Sequence, residues 1–438
     1  MLSMIGLIGG LALLMYLSLR GMNLFFAAPI CAFFVAISGE ITVFSTVGSD
    51  SYMRGYMDGF GNFIQAWFFV FLLGSLFGKL MEGSGAADSL AHWITTKFGR
   101  KHAVFSVVGA CVLLTYGGVS LFVVAFSVYP MAMSLFRDAN IPHRLIPATL
   151  GFGSVTFTMT SAGSPEIQNW IPIKYLGTTP FAAWEVSAVV ALFMAVTGFL
   201  WLHYMVKSAE NRGEDFGKAR GTVPELTEAQ IAQLPHPASG FIPLLVVLGT
   251  AYIAHEHLAE NGLIVALLAG CIALGIANFR YIKDAANLLS DGTYGALMAI
   301  GNTSAVVGFG AVAKLSPAFA TVVSAMTSMD SNGLIGAAVA ITTIAGLTGS
   351  ASGGQTIALP ELAPHYLENG MDPEHLHRIT AISSGALDTL PHNGYVVTTI
   401  RVICNETHKA AYGSMAALTV VIPLAGLALA IGLINLGL

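Results

Sequence analysis

The chain has 438 residues, of which 55% are hydrophobic and only 10% charged; its net charge is −5 and its mean hydropathy +0.72. A soluble domain carries about a quarter charged residues, so a polytopic helical membrane protein in contact with the lipid bilayer is expected, and no basic block points to nucleic acid. Cys31, Cys111, Cys271 and Cys404 lie in or beside apolar segments without CxxC spacing, so neither a disulfide framework nor a zinc site is expected, and no metal or organic cofactor is called for.

Apolar runs predict spans at 3–19, 22–38 and 60–80. No positive side chain precedes the first run and no A-x-A site follows it, so it reads as a retained span and not a signal peptide. Residues 82–102 are amphipathic and suit an interfacial helix. The apolar stretch 103–136 is interrupted by Tyr116-Gly117-Gly118-Val119-Ser120. Each arm falls short of the roughly 20 residues a crossing takes, which predicts a re-entrant hairpin. Residues 144–176 form a span broken by a polar segment running from Thr158 to Asn169, and 181–206 form another span. A polar linker covers 207–240. Spans at 241–256, 262–278 and 291–313 follow, then an interfacial segment at 316–330 and a second hairpin at 332–365, with its tip at Thr348–Gln355. A broken span at 378–403 and a last span at 411–436 complete the chain.

The two series match element by element, dividing the chain into an N-terminal repeat (1–206), the linker (207–240) and a C-terminal repeat (241–438). Short echoes support a duplication. Asp138, His143-Arg144-Leu145 and Gly151 recur 234 residues later as Asp372, His377-Arg378-Ile379 and Gly385, and Lys79-Leu80 recurs as Lys314-Leu315 at an offset of 235. If the hairpins do not cross, each half crosses five times, and an odd number gives the halves opposite orientations. With both termini outside and the linker cytoplasmic, Arg54, Lys174, Lys314 and Arg378 fall outside and the other 15 of the 19 Lys and Arg fall inside, as the positive-inside rule requires. The expected fold is all-α and polytopic: two inverted repeats, each with a re-entrant hairpin and a discontinuous transmembrane helix. That pattern is the mark of a secondary transporter.

The breaks carry the chemistry. Pro165 and Pro391 interrupt membrane-length segments, and helix ends expose N–H and C=O groups that hydrocarbon cannot satisfy. Half-helix N-termini carry partial positive charge and favour an anion, especially a carboxylate. Candidate binding residues in the first half are Gly117, Gly118, Ser120, Thr160, Ser161, Gly163, Ser164, Gln168 and Asn169. In the second half they are Ser350, Ser352, Gly353, Gly354, Gln355, Ser384, Thr389 and Asn393. For any single Gly or Ser, close helix packing is the competing explanation. No Lys or Arg lies inside either break, which favours a small substrate of low charge. Asp388 and His392 are the ionisable pair of the second break and the candidate coupling groups. Each has a plainer alternative: Asp388 as a cap on the following half-helix, His392 as a hydrogen-bonding group within the break. Glu166 suits the first turn of the first break's second half-helix.

The segment Ser384-Gly385-Ala386-Leu387-Asp388-Thr389-Leu390-Pro391-His392-Asn393-Gly394, continuing to Thr407-His408-Lys409, resembles the gluconate permease (gluconate:proton symporter) family, nearest its hydroxybutyrate-permease-like and citrate-transporter-like branches. Thr156-Phe157-Thr158-Met159-Thr160 with Pro165, Ile167-Gln168-Asn169 and Pro172 is similar to that family's first-half motif. The resemblance implies an ion-transporter-superfamily scaffold, a homodimer, elevator-type movement of the hairpin domain and proton-coupled uptake of a small organic anion across the plasma membrane. It also implies that the two motif segments form the substrate and coupling site. Sodium coupling is the alternative, since Ser hydroxyls and carbonyls at hairpin tips also hold sodium. A channel or a membrane enzyme using Ser, Asp388 and His392 stands further off, and no P-loop supports an ATP-driven pump.

Overall fold

A computed structural model describes residues 1–20, 22–44, 50–98, 102–119, 121–217, 227–258, 261–327 and 333–438. The described residues contain helices and no strand. In a bilayer this follows from the need to pair every backbone group within its own segment.

The first half opens with α1 (Leu2–Leu19) and α2 (Leu24–Ser38), the latter capped by the Asn23 side chain. The long α3 (Tyr52–Gly83) follows, capped by Ser51, and then the short α4 (Ala86–Phe98). α5 (Ala103–Tyr116) and α6 (Leu121–Asp138) form the first hairpin. The first discontinuous helix consists of α7 (Ile146–Gly151), a π turn at Phe152–Thr156, an irregular break, a 3-10 turn at Ile167–Asn169 and α8 (Ile171–Leu176). α9 (Trp184–Asn211) ends the half, and the short α10 (Glu228–Ile231) lies in the described part of the linker.

The second half repeats this order. α11 (Ala238–Leu258), α12 (Gly262–Asn278), α13 (Ala285–Lys314) and α14 (Pro317–Thr327) come first. α15 (Leu334–Thr348) and α16 (Ala351–Glu368) form the second hairpin. α17 (Pro373–Ser384) and α18 (Gly394–Val397), which runs on into a π turn at Thr398–Ile403, flank the second break. α19 (His408–Ala416), a π turn and α20 (Ile422–Asn435) make the last rod. Among the described residues, four helices are long and apolar enough to cross a membrane: α3, α9, α13 and the rod His408–Asn435.

The equivalent helices α3 and α13 run antiparallel along one another, the relation that two repeats of opposite orientation require. Gly59 of α3 lies against Ala311 at the far end of α13, and Gly83 lies against Leu288 at its start. Along the same seam Ser75 Oγ donates to the Gly292 carbonyl at 2.8 Å, and Tyr56 OH donates to the Ala305 carbonyl at 3.1 Å. The pairs α1–α2 and α11–α12 flank this centre, α2 packing on α13 and α12 on α3. The hairpins, both discontinuous helices, α9 and α20 pack chiefly among themselves. The result is two groups of helices with the breaks facing the gap between them.

Element boundaries depart from the sequence reading in three informative places. α3 starts at Tyr52 and not near 60, and α13 at Ala285 and not near 291, because Ser51 and Asp284 cap their ends. Lys79 therefore lies within α3 and Lys314 ends α13. The second discontinuous helix starts at Pro373 behind the Asp372 cap. Arg378, expected at a membrane edge, is instead mid-helix and fully buried. Part of the linker, 218–226, lies outside the described residues. Its two ends are moored on different elements. Arg144 pairs with Glu214 at 2.7 Å and Phe216 N donates to Asn140 Oδ1 at 3.2 Å, whereas Ser89 Oγ of α4 donates to the Pro235 carbonyl at 2.5 Å.

Candidate functional site

The breaks and hairpin tips are held together by hydrogen bonds between distant segments. At the second tip, Gly349 adopts φ +58 with its Cα against the His392 ring, so that a Cβ there would come within 2.7 Å of the imidazole. Ser350 then caps α16 by accepting from Gly353 N at 3.1 Å. Asn393 caps α18 by accepting from Val396 N at 3.0 Å, and its Nδ2 donates to the Gly349 carbonyl at 3.0 Å, tying the second break to the second tip. Gln355 Nε2 donates to the carbonyls of Gln168 (3.0 Å) and Thr380 (3.4 Å), tying the same hairpin to both discontinuous helices. Thr389 Oγ1 donates to the Thr419 carbonyl at 2.8 Å, where the π turn frees it.

Arg378 holds the first break from outside it. Its guanidinium donates to the carbonyls of Thr160 (2.7 Å), Ala182 (2.9 and 3.0 Å) and Pro180 (3.3 Å) and to Asn169 Oδ1 (2.8 Å). All five N–H groups of the fork are thus used. Asn169 Nδ2 in turn donates to the Met159 carbonyl at 3.0 Å. The neighbouring histidines make reciprocal ties: His377 Nδ1 meets Thr178 Oγ1 at 2.6 Å in the loop after the first discontinuous helix, and His143 Nδ1 meets Glu406 Oε1 at 2.8 Å in the loop after the second. The duplicated Arg144 has taken a different partner, Glu214 of the linker.

Between the two helix groups lies a cavity of about 470 Å³. Of the residues expected at a site, Gly118, Gln168, Ser350, Ser352, Asp388, Thr389 and Asn393 line it. Asp388 is 5% exposed, and its Oδ1 and the Gln168 Oε1 have no hydrogen-bond partner among the described residues. The N-termini of α6, α16 and α18 reach the cavity at Leu121, Ala351 and Gly394, bringing free N–H groups and partial positive charge to one place.

The remaining candidates support the walls. Gly117 seats the first tip against Leu244, and Gly163 (φ +75) turns the chain against Phe181. Thr160 gives its carbonyl to Arg378, and the Ser164 carbonyl accepts from Trp170 Nε1 at 3.2 Å. Gly353 and Gly354 pack inside the second hairpin, where Gly354 abuts Ala345. Ser384 Oγ turns back onto the Ala381 carbonyl at 2.8 Å. Ser161 lines a separate cavity of about 590 Å³, shared with Tyr116, Phe181, Trp184 and Tyr252. The first tip thus stands between two cavities, with Tyr116 on one and Gly118 on the other. Ser120 lies outside the described residues.

Sequence reasoning about the breaks did not find the wall contributed by unbroken helices. Ser75, Lys79 and Glu82 of α3 and Asn302 and Thr303 of α13 line the same cavity. Asn302-Thr303, polar residues inside an apolar span, was the available signal.

The sequence profile described as GntP family permease matches residues 2–165. The uncharacterized transporter YxjC of Bacillus subtilis is 35% identical over 454 residues, covering 94% of each chain. The chain belongs to the GntP permease family. The permease is also similar to the high-affinity gluconate transporter of Escherichia coli, with 32% identity over 85 residues, 19% of each chain. Among solved structures, the YdaH transporter of Alcanivorax borkumensis superposes over 100% of the permease and 99% of its own chain with a TM-score of 0.60 at 14% identity. MtrF of Neisseria gonorrhoeae covers 89% and 86% with a TM-score of 0.53 at 14% identity. These structures bear on the fold alone. The permease is a membrane transporter.

Proposed function

We propose that the permease is a secondary active carrier that takes up a small organic anion, a short hydroxy or other monocarboxylate or a sugar acid, together with protons across the plasma membrane. The observation that carries this reading is the cavity itself. In a chain that is 10% charged, three helix N-termini, the Ser350 and Ser352 hydroxyls, the Gln168 and Asn393 amides and the unpartnered Asp388 Oδ1 meet at one place. Helix N-termini and hydroxyls suit a carboxylate. The Asp388 carboxyl suits a proton that travels with it, and His392 stands behind it against the second tip.

The same arrangement supports elevator-type movement. The cavity lies between the two helix groups, so sliding the hairpin group along the α3–α13 pair would carry its contents across. Lys79 and Glu82 line the cavity from the last turns of α3. With the termini outside, that end of α3 is cytoplasmic, which supports reading the conformation as inward-facing. A homodimer built on the α3–α13 group is part of this proposal.

The test is uptake into proteoliposomes of short hydroxy and keto acids, gluconate and citrate under imposed proton or sodium gradients. Accumulation of one acid under a proton gradient alone is expected. Accumulation only with sodium would keep the site but move the coupling to the hydroxyls and carbonyls of the second tip, where Ser350 Oγ and Ser352 Oγ lie 3.4 Å apart. Product formation in place of transport would sink the carrier reading.

A further inference from the structure

Besides Glu82, which pairs with Lys79, the cavity has two carboxyl groups where the sequence singled out one as a coupling group. Glu166 follows Pro165 in the first break, and Asp388 precedes Pro391 in the second. Both line the same cavity. Glu166 has extended backbone (φ −69, ψ 138) at the start of the Ile167–Asn169 turn, and its amide N donates to Ser164 Oγ at 3.4 Å. Its carboxyl makes no hydrogen bond or ion pair with the described residues.

Among the described residues no cation is committed to either group. The other charged residues lining the cavity are Lys79 and Glu82, which pair with one another at 2.8 Å. Arg378 uses every N–H on carbonyls and on Asn169. His377 Nδ1 is held by Thr178, and the Tyr395 hydroxyl by Ser154 at 2.9 Å. His392 packs on Gly349 and does not line the cavity. Two carboxylates sharing such a cavity with an incoming anion repel it and one another. Protonating both removes that repulsion, and an isolated charge away from water is costly in any case.

We propose that Glu166 is a second proton-carrying group beside Asp388, so that two protons cross with each anion. The inference rests on the carrier reading above. Each carboxylate takes one proton on the outer side and gives it up on the inner side, and only O–H bonds form and break. For a monovalent anion one net positive charge then moves inward per cycle. A one-proton carrier of the same anion would move none.

The test uses the purified full-length protein in sodium-free proteoliposomes with labelled gluconate, or with whichever monovalent acid of the panel is accumulated. An inside-negative potassium diffusion potential is imposed without a pH gradient, and in a separate arm a pH gradient with the potential held at zero. One net charge per anion sustains a tenfold gradient for about 59 mV, so tenfold accumulation at that potential is expected. Glu166→Gln should lose accumulation driven by potential, keep accumulation driven by the pH gradient, and keep counterflow exchange. A wild-type carrier insensitive to potential, or one that accumulates only with sodium, overturns the proposal. So does a Glu166→Gln variant that still responds to potential, or one that exchanges gluconate but accumulates it under neither gradient. If that variant neither accumulates nor exchanges, Glu166→Asp decides: restored potential-driven accumulation supports the proposal, and its absence overturns it. Failure of the wild type to exchange any acid would instead strike the carrier reading itself.

Discussion

Arg378 Nη1 donates to Asn169 Oδ1 at 2.8 Å across 209 residues of sequence, so a helix of the second half fixes the shape of the break in the first. Three backbone carbonyls share the same guanidinium, and the group is fully buried. Removing it would leave these acceptors unpaired in the interior, at about 1–3 kcal/mol each. Arg378→Ala should therefore be strongly destabilised. Arg378→Lys should recover only part of the loss, because an ammonium cannot reproduce the planar fork. Thermal unfolding of the detergent-solubilised protein reads this directly, and wild-type melting of the Ala variant would remove Arg378 as the clamp.

Two left-handed glycines should respond differently to the same change. A side chain in that conformation costs about 1–2 kcal/mol. At Gly349 the added Cβ would also press on the His392 ring at 2.7 Å, whereas at Gly177 it meets open space. Gly349→Ala should cut the initial uptake rate severalfold, and Gly177→Ala should transport near the wild-type rate. Equal rates for the two variants would show that the tip tolerates displacement.

Asp388→Asn keeps the shape of the side chain and removes its proton chemistry. It should abolish accumulation driven by membrane potential while leaving, with Glu166 still carrying one proton, accumulation under a pH gradient and counterflow exchange of labelled for unlabelled acid. Potential-driven accumulation by this variant at the wild-type level would rule out Asp388 as a coupling group.

The linker mooring should depend on pH. Burial is the largest single influence and pushes the Glu214 carboxyl up, but the hydrogen bonds and charges of Arg212 and Arg144 together outweigh it and hold the group below the usual carboxylate range. A depressed folded-state pKa contributes stability above the unfolded value of about 4.3, and that contribution is lost as pH falls through the folded-state value. The pair is partly exposed, so its worth is below about 1 kcal/mol. Glu214→Gln should cleave faster than wild type in limited proteolysis of the linker at pH 7, and the difference should fade in acid. A difference that persists in acid would mean that the mooring does not depend on this charge.

Much of this protein was legible in its sequence. Hydropathy placed the helices, and Gly and Pro placed the hairpin turns and the breaks. The reason is local: in hydrocarbon each segment must pair its own backbone, so span lengths and interruptions are written in consecutive residues. The Asp388 break stood out because a buried charge is costly wherever the chain folds. What shares the cavity was decided by tertiary structure alone. Lys79, Glu82, Asn302 and Thr303 come from unbroken helices in which only the polar Asn302-Thr303 pair hints at a site, and Glu166 shares the cavity with Asp388 only because the two halves pack face to face. The duplicated arginines make the point most sharply. Arg144 and Arg378 occupy equivalent positions in similar sequence, yet one binds a linker carboxylate and the other is fully buried. That difference depends on carbonyls about two hundred residues away, turned toward Arg378 only after the halves associate.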